Sequence, residues 1–273
     1  MRTMAWRIIG LLLVSLVVAG GLMLRGSDAT TWAPSSGSTA TTFLIGAALG
    51  FLVRGVFLIG ILDTWLHELG HASMSGLLGG TPTAIRLHSD QSGVTEHRGG
   101  PRSLGRILVA AAGPCASSAT LVAVTGLISA GYVRQLLVIA VAAVALVLVL
   151  SVRNVIGWLV GLAVLAGGLL GIAALDGRFQ ALPWNMTVAQ VVISVSAMSA
   201  GGALGYSLRN LGPNGNGCDE SKIGQLSGLP ETLVDLTLIA INALLIFYVW
   251  RSFGVNWREV IPGQGHTKWP WQS

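Results

Sequence analysis

The run His67-Glu68-Leu69-Gly70-His71 carries the most readable chemistry in this 273-residue chain. On an α-helix, residues four apart project from one face a single turn apart, so both imidazoles can bind one metal ion. Glu68, beside the first imidazole, is placed to act as general base toward a zinc-bound water, since zinc lowers the pKa of its water toward neutrality. With five histidines in 273 residues, this spacing arises by chance in about two of every thousand chains of the same composition. The plainer reading, histidines satisfied by neighbouring helices, leaves two imidazoles and a carboxylate in an apolar segment without a metal, which is costly.

A catalytic zinc commonly has three protein ligands and one open position for water. The motif supplies two. Asp63, one turn before His67 on the same face, is better placed to hold the His67 imidazole from behind than to bind the metal. Asp219 and Asp235 are the remaining candidates, and each has a simpler explanation. Asp219 follows Gly217 closely, where a helix can start, and so can serve as an N-cap. Asp235 is ionisable within an apolar run, a functional hint in itself, but it can pair with Arg54 or Asn154 of another helix. Position alone divides the two nearly evenly.

The elements that must hold these residues are membrane helices. Hydrophobic residues make up 52% of the chain and charged residues 10%, against about a quarter charged in soluble domains. A bilayer core of about 30 Å needs roughly 20 apolar helical residues. Apolar runs occur at Ile8–Leu24, Phe43–Gly79, Ile107–Ala130, Gln135–Leu150, Val155–Leu175, Thr187–Leu208 and Glu231–Trp250. The expected fold is therefore all-α, a polytopic helical membrane protein of about seven segments. The second run is too long for one crossing and must tilt, extend or break, with Gly55 and Gly60 as the natural breaks. Residues 1–42 read as a retained signal anchor and a polar loop, 43–250 as the membrane-embedded domain, and 251–273 as an interfacial tail carrying Trp257, Trp269 and Trp271. Thr81–Ser103 reads as a polar connection, as do Arg209–Gly217 and the short stretch Cys218–Gly228.

Loop cations set orientation. With the N-terminus inside, Arg2, Arg7, Arg86, Arg98, Arg102, Arg106, Arg153, Arg209 and Lys222 lie inside. Arg25, Arg134, Arg178, Arg251, Arg258 and Lys268 lie outside, nine against six. This places the end of the motif segment and the Arg209–Pro230 loop, with Asp219, on the cytoplasmic side of what is expected to be the plasma membrane. The formal charge of +5 then reflects topology and lipid headgroups rather than nucleic acid. Two cysteines, Cys115 in an apolar run and Cys218 in a loop, give no CxxC pair and no expected disulfide.

His67-Glu68-Leu69-Gly70-His71-Ala72, Gly79-Gly80 and Leu87-His88-Ser89-Asp90-Gln91-Ser92-Gly93-Val94-Thr95 resemble the M50B-like branch of site-2 protease metallopeptidases. So do Ala112-Gly113-Pro114, Arg153-Asn154-Val155-Ile156-Gly157, and Cys218-Asp219-Glu220 followed by Gln225 to Pro230. The resemblance runs from about Val56 to Pro230 and is most specific at the histidine motif. It implies an intramembrane zinc endopeptidase cutting a peptide bond within or beside a membrane segment of a protein substrate. His67, His71 and Asp219 would be ligands and Glu68 the base. The chain departs from better-known relatives in lacking their Asn-x-x-Pro and Leu-Asp-Gly segment, and Cys218 stands where a serine is expected.

Two other function classes use the same polar residues. A transporter would route ions past Arg54, Asp63, Asp219 and Asp235, yet the histidine motif has no counterpart in the second half to suggest an internal repeat. An idle membrane scaffold would have little need of an intact Glu68. Asn154 and Asp90 are candidate substrate-positioning residues, with helix packing and a solvated loop as their respective alternatives. His97 and His266 read as exposed.

Overall fold

The computed structural model describes residues 2–26, 47–48, 57–100, 104–176, 184–209, 211 and 219–252. Eight long elements in this set are helical: α1 (Arg2–Gly26), α2 (Phe57–Leu77), α3 (Leu104–Ser129), α4 (Val133–Leu150), α5 (Val155–Leu175), α6 (Trp184–Arg209), α7 (Asp219–Ser227) and α8 (Glu231–Ser252). Six of them, all but α2 and α7, are long and apolar enough to cross a membrane. Helix α2 has the length, at 21 residues, but Asp63, His67, Glu68 and His71 interrupt its apolar character. Six apolar helices and the motif helix thus fall at the seven apolar runs of the sequence, six of them as candidate membrane spans. Arg54, Gly55, Cys218, His266, residues 27–42 and 212–217 of the loops expected at 25–42 and 209–217, and the tryptophans of the tail lie outside the described residues.

Apart from the start of the second run, which lies largely outside the described residues, expected and observed boundaries agree within about six residues, and Val155–Leu175 coincides at both ends. The Thr81–Ser103 connection differs. It contains an antiparallel hairpin of β1 (Thr81–Leu87) and β2 (Gly93–Arg98). Arg86, Glu96 and Arg98 suggested a solvated loop. However, β1 buries Pro82, Ala84, Ile85 and Leu87 against the helices, and Arg86 pairs with Glu96 at 3.4 Å on the outer face. Charge on one face of a half-buried strand masked the alternation. Beyond β1, residues 151–153 add a short parallel bridge: the Ile85 N–H donates to Ser151 O at 2.8 Å and the Arg153 N–H to Ile85 O at 3.2 Å.

Helix α3 is the hub, packing against α1, α2, α6, α7 and α8. Its approach to α1 is so close that a Cβ on Gly126 would collide with the Gly20 main chain, a small-residue contact of the kind that lets membrane helices pack by dispersion. One end of the bundle collects the chemistry. There Thr3 Oγ1 meets Thr81 Oγ1 at 2.7 Å and the Trp6 indole N–H donates to Ser151 Oγ at 3.2 Å. The start of α1, the hairpin, the α4–α5 junction and α7 therefore share one end. Arg134–Asp176 (2.9 Å) and the bond from Tyr248 O–H to Gly21 O (2.7 Å) mark the opposite end.

Candidate metal centre and active site

Three side chains converge where α2, α3 and α7 meet. His67 Nε2 and His71 Nε2 each lie 2.9 Å from Asp219 Oδ2 and 3.1 Å from one another. Among the described residues they are the one group of at least three potential ligands whose donor atoms cluster, all within 4.8 Å. Asp235, buried on α8, is outside that cluster, so the fold brings Asp219 to the histidine pair. Asp219 opens α7, where acidic residues are favoured by the unpaired N–H groups of the first turn. Burial opposes ionisation of Asp219, but its contacts with the two imidazoles outweigh it and hold the carboxyl well below the usual carboxylate range. Lys222 Nζ, one turn on, reaches Asp219 Oδ1 at 3.2 Å and leaves Oδ2 facing the histidines.

The set fits zinc. Donors of a tetrahedral zinc with bonds of about 2.0–2.1 Å are roughly 3.3 Å apart, close to the observed 2.9–3.1 Å edges. His71 Nδ1–H donates to Val109 O at 2.7 Å, which fixes the ring and presents Nε2 as the ligating atom. Gly113 keeps the space open. A Cβ there would lie 2.8 Å from His67 Nε2 and closer still to His71 Nε2. Only glycine leaves room beside both donor nitrogens. Two N, one O and no thiolate is a donor set typical of hydrolytic zinc.

Glu68 is 5% exposed and is held by β2: Thr95 Oγ1–H is shared between Glu68 Oε2 at 2.7 Å and Glu68 O at 3.0 Å. Thr64, a turn earlier, ties the hairpin turn to α2 through a 2.6 Å bond to Gln91 O. Thr95 and Thr64 were missed in the sequence, because threonine in a loop and threonine in a helix are too common to signal a site. Glu68, His67, His71 and Asp219 all line a cavity of about 1060 Å³, together with Gln91–Thr95, His97, Arg106, Pro114, Tyr206 and Lys222.

Asp63, expected to hold the His67 imidazole from behind, lines the same cavity and is reached by two serines. Its Oδ1 accepts from Ser117 Oγ at 2.6 Å and Ser199 Oγ at 3.2 Å, and the two hydroxyls are 3.1 Å apart. The carboxylate thus ties α2 to α3 and α6 through Oδ1. A carboxylate in an apolar bundle takes the nearest hydroxyl donors. Asn154 is also engaged structurally. Its amide bonds the Leu87 main chain at both N–H (3.3 Å) and C=O, and Oδ1 caps α5 through the Gly157 N–H at 3.4 Å. It fixes the sheet edge that faces away from the cavity. Asp90 accepts from Ser92 N–H at 3.0 Å and Ser92 Oγ–H at 2.7 Å, which shapes the hairpin turn and holds its carboxyl below the ordinary range. Gln91 to Thr95, its neighbours, are the residues that line the cavity.

A membrane helix bundle with a two-histidine, one-carboxylate cluster and an adjacent buried glutamate is the arrangement that the peptidase resemblance of the motifs implies. The family described as "Peptidase M50B-like" matches residues 38–249, and the chain belongs to it. Comparison with curated proteins and with solved structures finds no match. The chain is an integral membrane protein of a peptidase family, as the resemblance in the motifs implied.

Proposed function

We propose that the protein is an intramembrane zinc endopeptidase that hydrolyses a peptide bond within or next to a membrane segment of a protein substrate, with its site near the cytoplasmic face of the plasma membrane. The reading rests above all on the convergence of His67 Nε2, His71 Nε2 and Asp219 Oδ2. Family membership and the excess of loop cations at the same end support it. Zinc, when bound by these three side chains, supplies a Lewis acid and a water acidified toward neutrality.

The chain's own residues supply the rest. Thr95 holds Glu68 Oε2, so that the carboxylate is oriented to take a proton from water in the cavity and pass it to the departing amide nitrogen. Buried walls around Glu68 and His71 keep bulk water away and strengthen the electrostatics of the site. A helical peptide bond is shielded by its own hydrogen bonds, so the substrate must unwind locally. The outer edge of β2 carries no strand among the described residues, and β2 residues line the cavity. An extended substrate segment can pair there and run past Glu68.

The test is cleavage by zinc-loaded protein in lipid nanodiscs, comparing wild type with Glu68→Gln. The variant should keep its zinc and lose cleavage by at least about a hundredfold, the range of a general base. Cleavage retained in Glu68→Gln overturns the role given to Glu68.

A further inference from the structure

Charge is segregated in the cavity. Its acids are covered: Asp63 and Glu68 are 5% exposed, and Asp219 and Glu220 are half-buried. Its exposed basic groups are Arg106 from α3, Lys222 from α7 and His97 from β2. The three come from different elements, so this is not a charged stripe along one helix. Lys222 has one anchor, Asp219 Oδ1. Arg106 and His97 make no hydrogen bond or ion pair among the described residues. Partial burial, then the nearby charges of His71, Lys222 and Arg106, lower the His97 pKa, and all three basic groups line the one cavity. Arg106 and Lys222 supply cationic donors, and His97 adds a ring N–H.

We propose that Arg106, with His97 and Lys222, forms an acid-recognition subsite in the cavity lining that selects a substrate carrying an Asp or Glu a few residues from the scissile bond. The inference rests on the endopeptidase reading above and names a specificity element for the same site. Strand geometry sets the distance. Gly93 packs against the Glu68 side chain and Thr95 bonds its carboxylate. Thr95 and His97 share the face that looks into the cavity, because side chains alternate along a strand. His97 is two to four residues beyond the positions that touch Glu68, or about 7–13 Å at roughly 3.3 Å per residue. A segment paired along β2 with its scissile bond at Glu68 therefore brings a side chain two to four residues away to Arg106 and His97. A guanidinium fork recognises a carboxylate there in bidentate fashion. A lipid phosphate is the competing occupant, but the subsite opens onto the cavity that holds the hydrolytic residues, which favours the peptide.

The experiment uses the full chain in nanodiscs of neutral phosphatidylcholine and dye-labelled Ala/Ser/Leu peptides in which a single Glu or Gln is scanned along the sequence. Binding is read by fluorescence anisotropy, while zinc content and hydrolysis are read on the same samples. The Glu peptide should bind about three- to tenfold tighter than its Gln twin at one or two adjacent positions, as expected for one or two partly exposed ion pairs. The preference should fall to about one in Arg106→Gln and invert in favour of a Lys peptide in Arg106→Glu. Equal binding of the two peptides, or a preference untouched by Arg106→Gln, overturns the subsite. So does loss of the preference when phosphatidylglycerol replaces phosphatidylcholine, which would make a lipid headgroup the occupant. Preference retained without hydrolysis by zinc-loaded protein supports the subsite and removes the endopeptidase reading. Hydrolysis without preference does the reverse.

Discussion

Gly113→Ala isolates the geometry of the metal centre from the stability of the fold. Gly113 lies inside α3, where alanine is ordinarily better than glycine by about 1 kcal/mol. Propensity alone therefore makes the substitution stabilising. The added methyl group, however, would sit 2.8 Å from His67 Nε2 and closer to His71 Nε2 and Cε1, below the 3.0 Å that real Cβ atoms respect. The atoms it meets belong to a rigid ring anchored at Val109 O, not to a flexible chain end. His71 must retreat by roughly 1 Å to regain normal van der Waals separation. Overpacking of this size costs about 1–3 kcal/mol, so the net change in stability is small, about 0–2 kcal/mol after the propensity gain. Metal binding tolerates far less, because ligand distances must hold to about ±0.2 Å. Zinc affinity, measured by competition with a fluorescent chelator in detergent, should fall by at least about a hundredfold. Thermal unfolding of the metal-free protein should move by only a few degrees. Wild-type zinc affinity in Gly113→Ala would refute the placement of the ligands around this glycine.

Further outcomes follow from the same contacts. Gly70→Ala should behave oppositely, because its Cβ would meet the Ala112 carbonyl at 2.5 Å; backbone cannot rotate away, so the α2–α3 contact opens and thermal unfolding drops before metal affinity is tested. Ser117→Ala removes one donor from the buried Asp63 carboxylate and should cost about 1–3 kcal/mol, read by unfolding in detergent, with zinc content unchanged. Asn154→Ala frees the Leu87 main chain and uncaps α5; it should cost about 1–2 kcal/mol and speed hydrogen exchange at Leu87. Thr95→Val keeps the shape of the side chain but removes the hydroxyl that holds Glu68; it should lower kcat about tenfold or more with zinc retained, separating the orientation of the base from metal binding.

The membrane helices were legible because the need to cover a bilayer leaves a long apolar signature, and Val155–Leu175 could be read to the residue. The hairpin was not. Its two strands are short, one face is charged, and the partner for Ile85 is supplied by residues 151–153, far away in sequence. His67, Glu68 and His71 announce themselves because one helix turn sets their geometry. Asp219 and Asp235 were inseparable by position, since what distinguishes them is how α7 and α8 dock on α3, a tertiary matter. Asp63 shows the limit of local spacing. Four residues from His67 on one helix, it also accepts from serines of α3 and α6, which helix spacing cannot announce. Asn154 likewise satisfies a strand 67 residues earlier, which a single sequence cannot announce.

The central claim is a zinc site made by His67, His71 and Asp219, and the most direct measurement is zinc per chain in purified protein. By inductively coupled plasma mass spectrometry, wild type and Asp235→Ala should each hold close to one zinc per chain, and Asp219→Ala should hold little. Wild type that takes up no zinc on titration, or zinc retained in Asp219→Ala and lost in Asp235→Ala, would contradict it.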